Sequence, residues 1–246
     1  PVKLFTSQGD VEALCRLKVA GVAIPDVAEA RFQAEYWIHV VNSWFRWPDA
    51  HSFDCIRHYF GCEKYSKKWW EINEAMAENM KAARINVLFV RTMDLLFDGG
   101  TTVDERGIVD FRWELFDRWV ECYLAHGSFQ KLAGMHLVMQ AEGKQVFVIG
   151  RDQDGIPALG LAREDSDQAA GWLAQYLPAL YDHLGSKGWR EMWLQHVQDE
   201  PAEPESWLGA VSLVREFMPG IPTLDALDTQ SPAPALQDHM DLWIPR

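Results

Sequence analysis

Two adjacent carboxylates, Asp199 and Glu200, close the run Glu-Met-Trp-Leu-Gln-His-Val-Gln-Asp-Glu-Pro at residues 191–201. The stretch ahead of them is apolar and aromatic with alternating polar partners, the pattern of a buried strand. Pro201 cannot donate to a sheet ladder and pushes the residue before it away from helical dihedrals, so the pair is expected at the C-terminal end of that strand. Acids this close cannot both ionise freely, because each raises the cost of charging the other and partial burial raises it further. A protonated acid beside an ionised one can divide the work of glycosidic bond cleavage, one giving a proton while the other stabilises developing positive charge. The plainer alternative is a solvated strand-to-helix turn with Asp199 as a helix cap, the commoner fate of an isolated Asp-Glu-Pro.

The elements that must position the pair follow from periodicity. Strands are expected near 34–41, 86–90, 132–139, 192–198, 222–227 and 241–244, where aromatic and β-branched residues cluster. Helical spacing falls between them: 52–60, 66–83 with Ser66 as cap, 111–126 with Gly127 as stop, 165–184 ended by Gly185 and kinked at Pro178, 206–217 and 236–240. Residues 91–107 read as a long loop, and 140–161 as a hairpin excursion turning at Asp154-Gly155. Strand-helix alternation of this kind implies parallel strands joined by crossovers. The fold class is therefore α/β, a (β/α)8 TIM-type barrel incomplete at its C-terminus, with a hairpin insertion after the third strand. Residues 31–246 form the barrel, and 1–30 are a lead-in that is either the end of an upstream β domain or an irregular segment packed beneath the barrel.

In such a fold functional loops gather at the C-terminal ends of strands. Trp44, Arg91, His136, Asp199, Glu200, Asp225 and Trp243 all fall there, contributed by six separated segments. The aromatic loop 42–48, with Trp44 and Arg46, is a candidate binding wall. A lone histidine on an apolar strand is more often a satisfied core residue than a ligand, so His136 gains weight only from its company. Successive strand residues face opposite sides, so Asp199 and Glu200 share a face only if the strand ends or bulges there, as Pro201 favours. His196 and Gln198 share the parity of Glu200 and are expected to line the pocket beneath it.

Composition narrows the partners. The 246 residues are 48% hydrophobic and 24% charged, an ordinary globular composition. A net charge of −13 without clustered Lys and Arg argues against nucleic acid or an anionic membrane surface, and a neutral, mildly polar substrate fits better. Most of the 12 tryptophans are expected as core filler, with two or three left to floor a sugar site. Cys15, Cys55, Cys62 and Cys122 lack paired metal spacing and are expected as buried thiols, which leaves the compartment open, secretion included. No run approaches the roughly 20 apolar residues of a membrane span. No metal or cofactor is expected.

The chain resembles glycoside hydrolase family 123 and related barrel domains from about Tyr36 onward. The resemblance is carried by Tyr36-Trp37 leading to Trp44-Phe45-Arg46, the Trp69-Trp70 helix before Asn86, and Gly134-Met135-His136-Leu137. Gly188-Trp189 before His196-Val197-Gln198-Asp199-Glu200-Pro201, then Asp225-Ala226 and the closing Asp241-Leu242-Trp243-Ile244-Pro245, complete it. It implies a retaining β-N-acetylgalactosaminidase-type enzyme in which the 2-acetamido group of the substrate is the nucleophile. Asp199 would orient that group as it closes to an oxazolinium, and Glu200 would serve as general acid and then general base. Trp44, Arg46, Arg91, His136, His196, Gln198, Asp225 and Trp243 would bind substrate, a glycan or glycoconjugate. The family's upstream β-sandwich is mostly absent, two barrel units are missing, and the 140–161 hairpin is not placed by the resemblance. Two other readings stay open: a conventional retaining glycosidase with its nucleophile outside this chain, and a non-catalytic carbohydrate-binding or structural barrel.

Overall fold

The computed structural model describes residues 2–6, 9–13, 23–37, 55–141, 143–201, 203–227, 233–236 and 238–245. The chain opens with β1 (Val2–Thr6) and β2 (Gly9–Ala13), which pair antiparallel. β3 (Glu35–Tyr36), α1 (Cys55–Phe60), α2 (Lys67–Ala82) and β4 (Val87–Val90) follow. After α3 (Thr92–Asp98), the short antiparallel pair β5 (Thr102–Val103) and β6 (Val109–Asp110) leads into α4 (Glu114–His126) and β7 (Lys131–Gly134). Next come β8 (Val138–Ala141), β9 (Gly143–Arg151), β10 (Pro157–Arg163), α5 (Asp167–Lys187) and β11 (Trp193–His196). The chain continues through α6 (Pro204–Phe217), β12 (Thr223–Leu227), α7 (Ala233–Leu236) and β13 (Leu242–Pro245).

Six strands form one parallel sheet in chain order, β3-β4-β7-β11-β12-β13. Each new strand is laid beside the last, the winding of a barrel wall rather than of a doubly wound sheet. The sheet is curled. Glu35 on its first strand touches His196 on its fourth, which a flat sheet would hold several strand spacings apart. The result is a half-barrel of six parallel strands, with β3 and β13 as edges among the described residues.

The two faces of the sheet carry different layers. Val87, Ala133, Leu194 and Leu224, with Leu242 and Ile244 against them, form an apolar cluster made of strand residues alone, on the concave side. The alternate positions Leu88, Val90, Leu132 and Trp193 join the larger cluster that includes the helices. There α2 presents Trp69, Trp70, Asn73, Ala77 and Met80 at helical spacing, and α4 presents Phe116, Trp119, Val120 and Tyr123. Trp69, Trp70, Trp119, Trp172, Trp189, Trp193 and Trp207 are buried, so tryptophan is mainly packing material here.

Local chemistry explains most boundaries. Ser66 starts α2 by accepting the N–H of Trp69, and Ser166 starts α5 by accepting that of Ala169. α5 runs through Pro178 and past Gly185 to Lys187, because the left-handed stop is Gly188 (φ 73°) rather than Gly185. Residues 91–107 are not one long loop. Met93, Leu95 and Leu96 are buried, and their burial folds the segment into α3.

The expected strand at 132–139 divides in two. β7 stops at Gly134, above which lies the Trp193 ring, so close that a Cβ on residue 134 would stand 2.5 Å from it. The chain then leaves the parallel sheet, and β8 begins an antiparallel meander with β9 and β10. An apolar run buried on both sides gives no periodic sign of that break. Between the halves, Leu137 and Val138 donate their N–H groups to the carbonyl of Val197.

Residues 23–34 are fastened under the sheet by polar side chains. Asn86 bonds the N–H of Ala34 and the carbonyl of Phe32, while Gln130 donates to the carbonyls of Val27, Ala28 and Ala30. Arg84 holds the carbonyl of Pro25.

Candidate active site

β11 is short because its pairing runs out. It meets β12 only at Gln195↔Thr223 and His196↔Leu224, and beyond His196 its pairing is reduced to a single parallel bridge between Gln198 and Val138. Asp199 and Glu200 follow at once, both partly buried. Glu200 has φ 47°, a left-handed backbone that a residue with a Cβ seldom adopts, at a cost of about 1–2 kcal/mol. That dihedral breaks the alternation of a strand, so opposite facing of neighbouring side chains no longer applies at the pair. Pro201 is buried behind it, and α6 starts with Pro204 in its first turn.

Behind the pair lies a buried polar network. The His196 ring is fully enclosed, its Nδ1 3.1 Å from Asp225 Oδ1 and its Nε2 3.1 Å from Glu35 Oε1. Burial opposes its charged form, but the hydrogen bonds to Asp225 and Glu35, with the charges of both carboxylates, outweigh that and hold His196 at about 9. It is an imidazolium donating from both nitrogens. His136, 4.4 Å away between ring centroids, is held well below the usual histidine value by burial, by His196 and by Arg91. Two touching imidazoles thus carry one charge.

Asp225 is the hub. Its Oδ2 accepts from the N–H of Val197 (3.1 Å), the N–H of Gln198 (3.0 Å) and Trp207 Nε1 (2.6 Å), and Oδ1 accepts from His196. Burial pushes its carboxyl upward, against the bonds from His196, Trp207 and Gln198 that favour the anion. Trp37 covers the network from the concave side, stacking on Phe89 at 5.4 Å and meeting His136 and His196 edge-on. Its Nε1 donates to Glu35.

His136, His196 and Asp225 each bring one potential ligand atom within 4.8 Å of the others. The donor set is committed elsewhere, since both His196 nitrogens face carboxylates and Asp225 already serves four donors. A cation on either His196 nitrogen would have to displace a proton bonded to Asp225 or Glu35. The arrangement is a hydrogen-bonded ion network rather than a metal centre.

The remaining expected site residues are distributed as follows. Trp44 and Arg46 lie outside the described residues. Arg91 is buried and paired with Asp94, at 2.7 Å through Nε and 2.6 Å through a terminal nitrogen. Gln198 is fully buried, and among the described residues neither Oε1 nor Nε2 of its amide has a hydrogen-bond partner. Leu242 and Ile244 pack on the concave cluster, which turns Trp243 to the opposite face, in register with Asp225 of β12, where its Nε1 donates to the Met240 carbonyl. Asp225 lies within β12 rather than at its end, and only its side chain reaches the tip of β11.

Three members of the network escape a reading of the sequence as site residues: Glu35, Asp94 and Trp207. Glu35 carries a signal, a lone carboxylate inside an aromatic core strand. Trp207 carries none, being one apolar residue on an amphipathic helix.

Residues 50–245 match the profile of the glycoside hydrolase 123 catalytic domain. The chain belongs to glycoside hydrolase family 123. Among solved structures it is similar to a family 123 glycoside hydrolase from Clostridium perfringens, described for glycolipid glycan hydrolysis, with a TM-score of 0.68 at 14% identity. The likeness covers 92% of this chain and 40% of that one, so the chain spans about two fifths of that family 123 protein's length. No curated protein sequence matches. At that identity the structural likeness speaks for the fold, and the family 123 assignment rests on the profile.

Proposed function

We propose that the chain carries the catalytic centre of a glycosidase that releases a terminal N-acetylhexosamine, with β-N-acetylgalactosamine as the preferred sugar. The observation that carries this reading is the acidic pair itself: Asp199 and Glu200 lie at the end of a parallel strand inside the family 123 match, with Glu200 held in a left-handed backbone. Strained residues that persist at a strand tip are over-determined by their surroundings, and such strain clusters at reacting sites. The half-barrel is read as part of a (β/α)8 barrel, whose active sites lie at that end of the strands.

In the proposed reaction the carbonyl oxygen of the 2-acetamido group attacks C1 of the sugar as the glycosidic C1–O bond breaks. Glu200 gives its proton to the leaving oxygen, and Asp199 holds the acetamido N–H and balances the positive charge of the oxazolinium that forms. Glu200, now a carboxylate, takes a proton from water as that water adds to C1. The ring opens, the acetamido group is restored and the anomeric configuration is retained. No protein nucleophile is required, so two neighbouring carboxyl groups suffice without standing on opposite sides of the sugar. Gln198, His136 and Arg91 are the substrate contacts favoured by position, and the glycan of a glycolipid is a fitting source of the sugar.

The discriminating experiment compares 4-nitrophenyl N-acetyl-β-galactosaminide with 4-nitrophenyl β-galactoside. Turnover of the first and none of the second is expected. Equal turnover of both would point to a protein nucleophile, and binding of N-acetylgalactosamine with no turnover of either would make the chain a binding module.

A further inference from the structure

We propose that Asp225 is a positioning residue for the carboxylate pair, tying both ends of the segment that displays Asp199 and Glu200 to a single side chain. The inference rests on reading those two acids as the reacting groups.

The accounting starts with backbone donors. Val197 and Gln198 are buried, and the N–H groups of buried residues must find acceptors. The sheet cannot supply them, because β11 and β12 cease to pair after His196↔Leu224. The Asp225 carboxylate takes the place of the missing ladder and accepts from both N–H groups. On the other side of the same peptide stretch the Val197 carbonyl accepts from Leu137 and Val138, so residue 197 is gripped from two directions.

The far end of the segment returns to the same atom. Trp207, in the second turn of α6, places its Nε1 2.6 Å from Asp225 Oδ2, the oxygen that also receives Val197 and Gln198. Asp199, Glu200 and Pro201 therefore sit in a loop closed at both ends on one carboxylate. The left-handed dihedral of Glu200 lies inside that closed loop, and closure is what holds a strained residue in place. Asp225 is itself fixed by His196, and His196 by Glu35, so the aim of the pair is set from the first strand of the sheet as well as the fifth. Both Asp225 oxygens are taken up by protein donors, His196, Trp207 and the N–H groups of Val197 and Gln198, which separates positioning from binding.

The test uses Asp225→Ala and Asp225→Asn in the full chain, with kcat and KM on the aryl N-acetyl-β-galactosaminide, amide hydrogen exchange over residues 197–200, and thermal unfolding. Misplacing a reacting group by about 1 Å costs on the order of 100-fold in rate, so D225A is expected to lose about 100-fold in kcat with KM within about threefold. The amides of Val197 and Gln198 should exchange faster. The Asn amide oxygen can still accept from Val197, Gln198 and Trp207, and only the bond from His196 is lost, so D225N should keep kcat within about tenfold of the parent. Wild-type kcat in D225A, or unchanged exchange at 197 and 198, would overturn the proposal. Should D225A fail to fold, Trp207→Phe frees one end of the loop, and a kcat drop of about tenfold with 197 and 198 still protected is expected; an unchanged kcat overturns it. If the parent chain hydrolyses no aryl glycoside, the functional reading falls by itself, and exchange at 197 and 198 still decides the clamp.

Discussion

Glu35 and His196 meet at 3.1 Å across the concave side of the sheet, from its first strand to its fourth, 161 residues apart in the chain. With Asp225 on the other nitrogen, that contact gives a fully buried histidine a value of about 9 where an ordinary one has 6.5. A base whose folded value is raised contributes its full stabilisation below the unfolded value and loses it as pH rises through the folded one. Stability is therefore expected to fall between about pH 6.5 and 9, by roughly 3 kcal/mol at 1.36 kcal/mol per unit. His136 works in the opposite sense. Held neutral by burial, by His196 and by Arg91, it favours the unfolded chain once pH drops below about 6.5. Urea unfolding across pH 5 to 9.5 checks both limbs, and among the described residues Glu35, Asp225 and His136 are the titratable groups that meet the His196 ring. In His196→Gln the alkaline limb should flatten.

Glu200 supplies a second prediction through its backbone. Glycine adopts φ 47° at little cost, so Glu200→Gly should raise stability by about 1 kcal/mol while abolishing turnover. Chemical unfolding of parent and variant measures the first, and aryl glycoside turnover the second. A less stable variant would mean that the Glu200 side chain contributes more to the fold than its dihedral costs.

Gln198 separates packing from binding. A buried amide left without a partner costs about 1–3 kcal/mol, and the Gln198 amide has none among the described residues, so Gln198→Leu is expected to unfold at a higher temperature than the parent. If substrate completes the hydrogen bonding of that amide, KM should rise about tenfold in the same variant. Calorimetry and steady-state kinetics give the two readings independently.

Arg91 and Asp94 form a buried ion pair in the first turn of α3. Removing one partner breaks a buried ion pair, and Arg91→Met is expected to cost about 3–5 kcal/mol. Pairing it with Asp94→Leu should recover much of that loss. Denaturant titration of both variants checks the asymmetry.

The sequence was most legible where one physical rule dominated. Ser66 before the apolar stripe of α2, and the strand runs flanked by turns, locate their elements closely because capping and alternation leave a local imprint. The ladder order β3-β4-β7-β11-β12-β13 follows from strand-helix alternation in the same way. Three things were not local. The division of the third strand turns on a close approach between Gly134 and the Trp193 ring, which only the packed sheet creates. α3 forms because Leu95 and Leu96 find a core to enter. The Glu35–His196–Asp225–Trp207 chain joins four elements through side chains, and no spacing along the chain announces it.

The central claim, that Glu200 delivers the proton to the leaving oxygen, is tested most directly by Glu200→Gln across leaving groups of graded acidity. General acid catalysis is worth about 100- to 10,000-fold where the leaving group needs a proton and little where it does not. The variant is expected to lose that much on a methyl or sugar aglycone and far less on 2,4-dinitrophenyl N-acetyl-β-galactosaminide. An equal loss on every substrate, or no loss on any, would contradict the account.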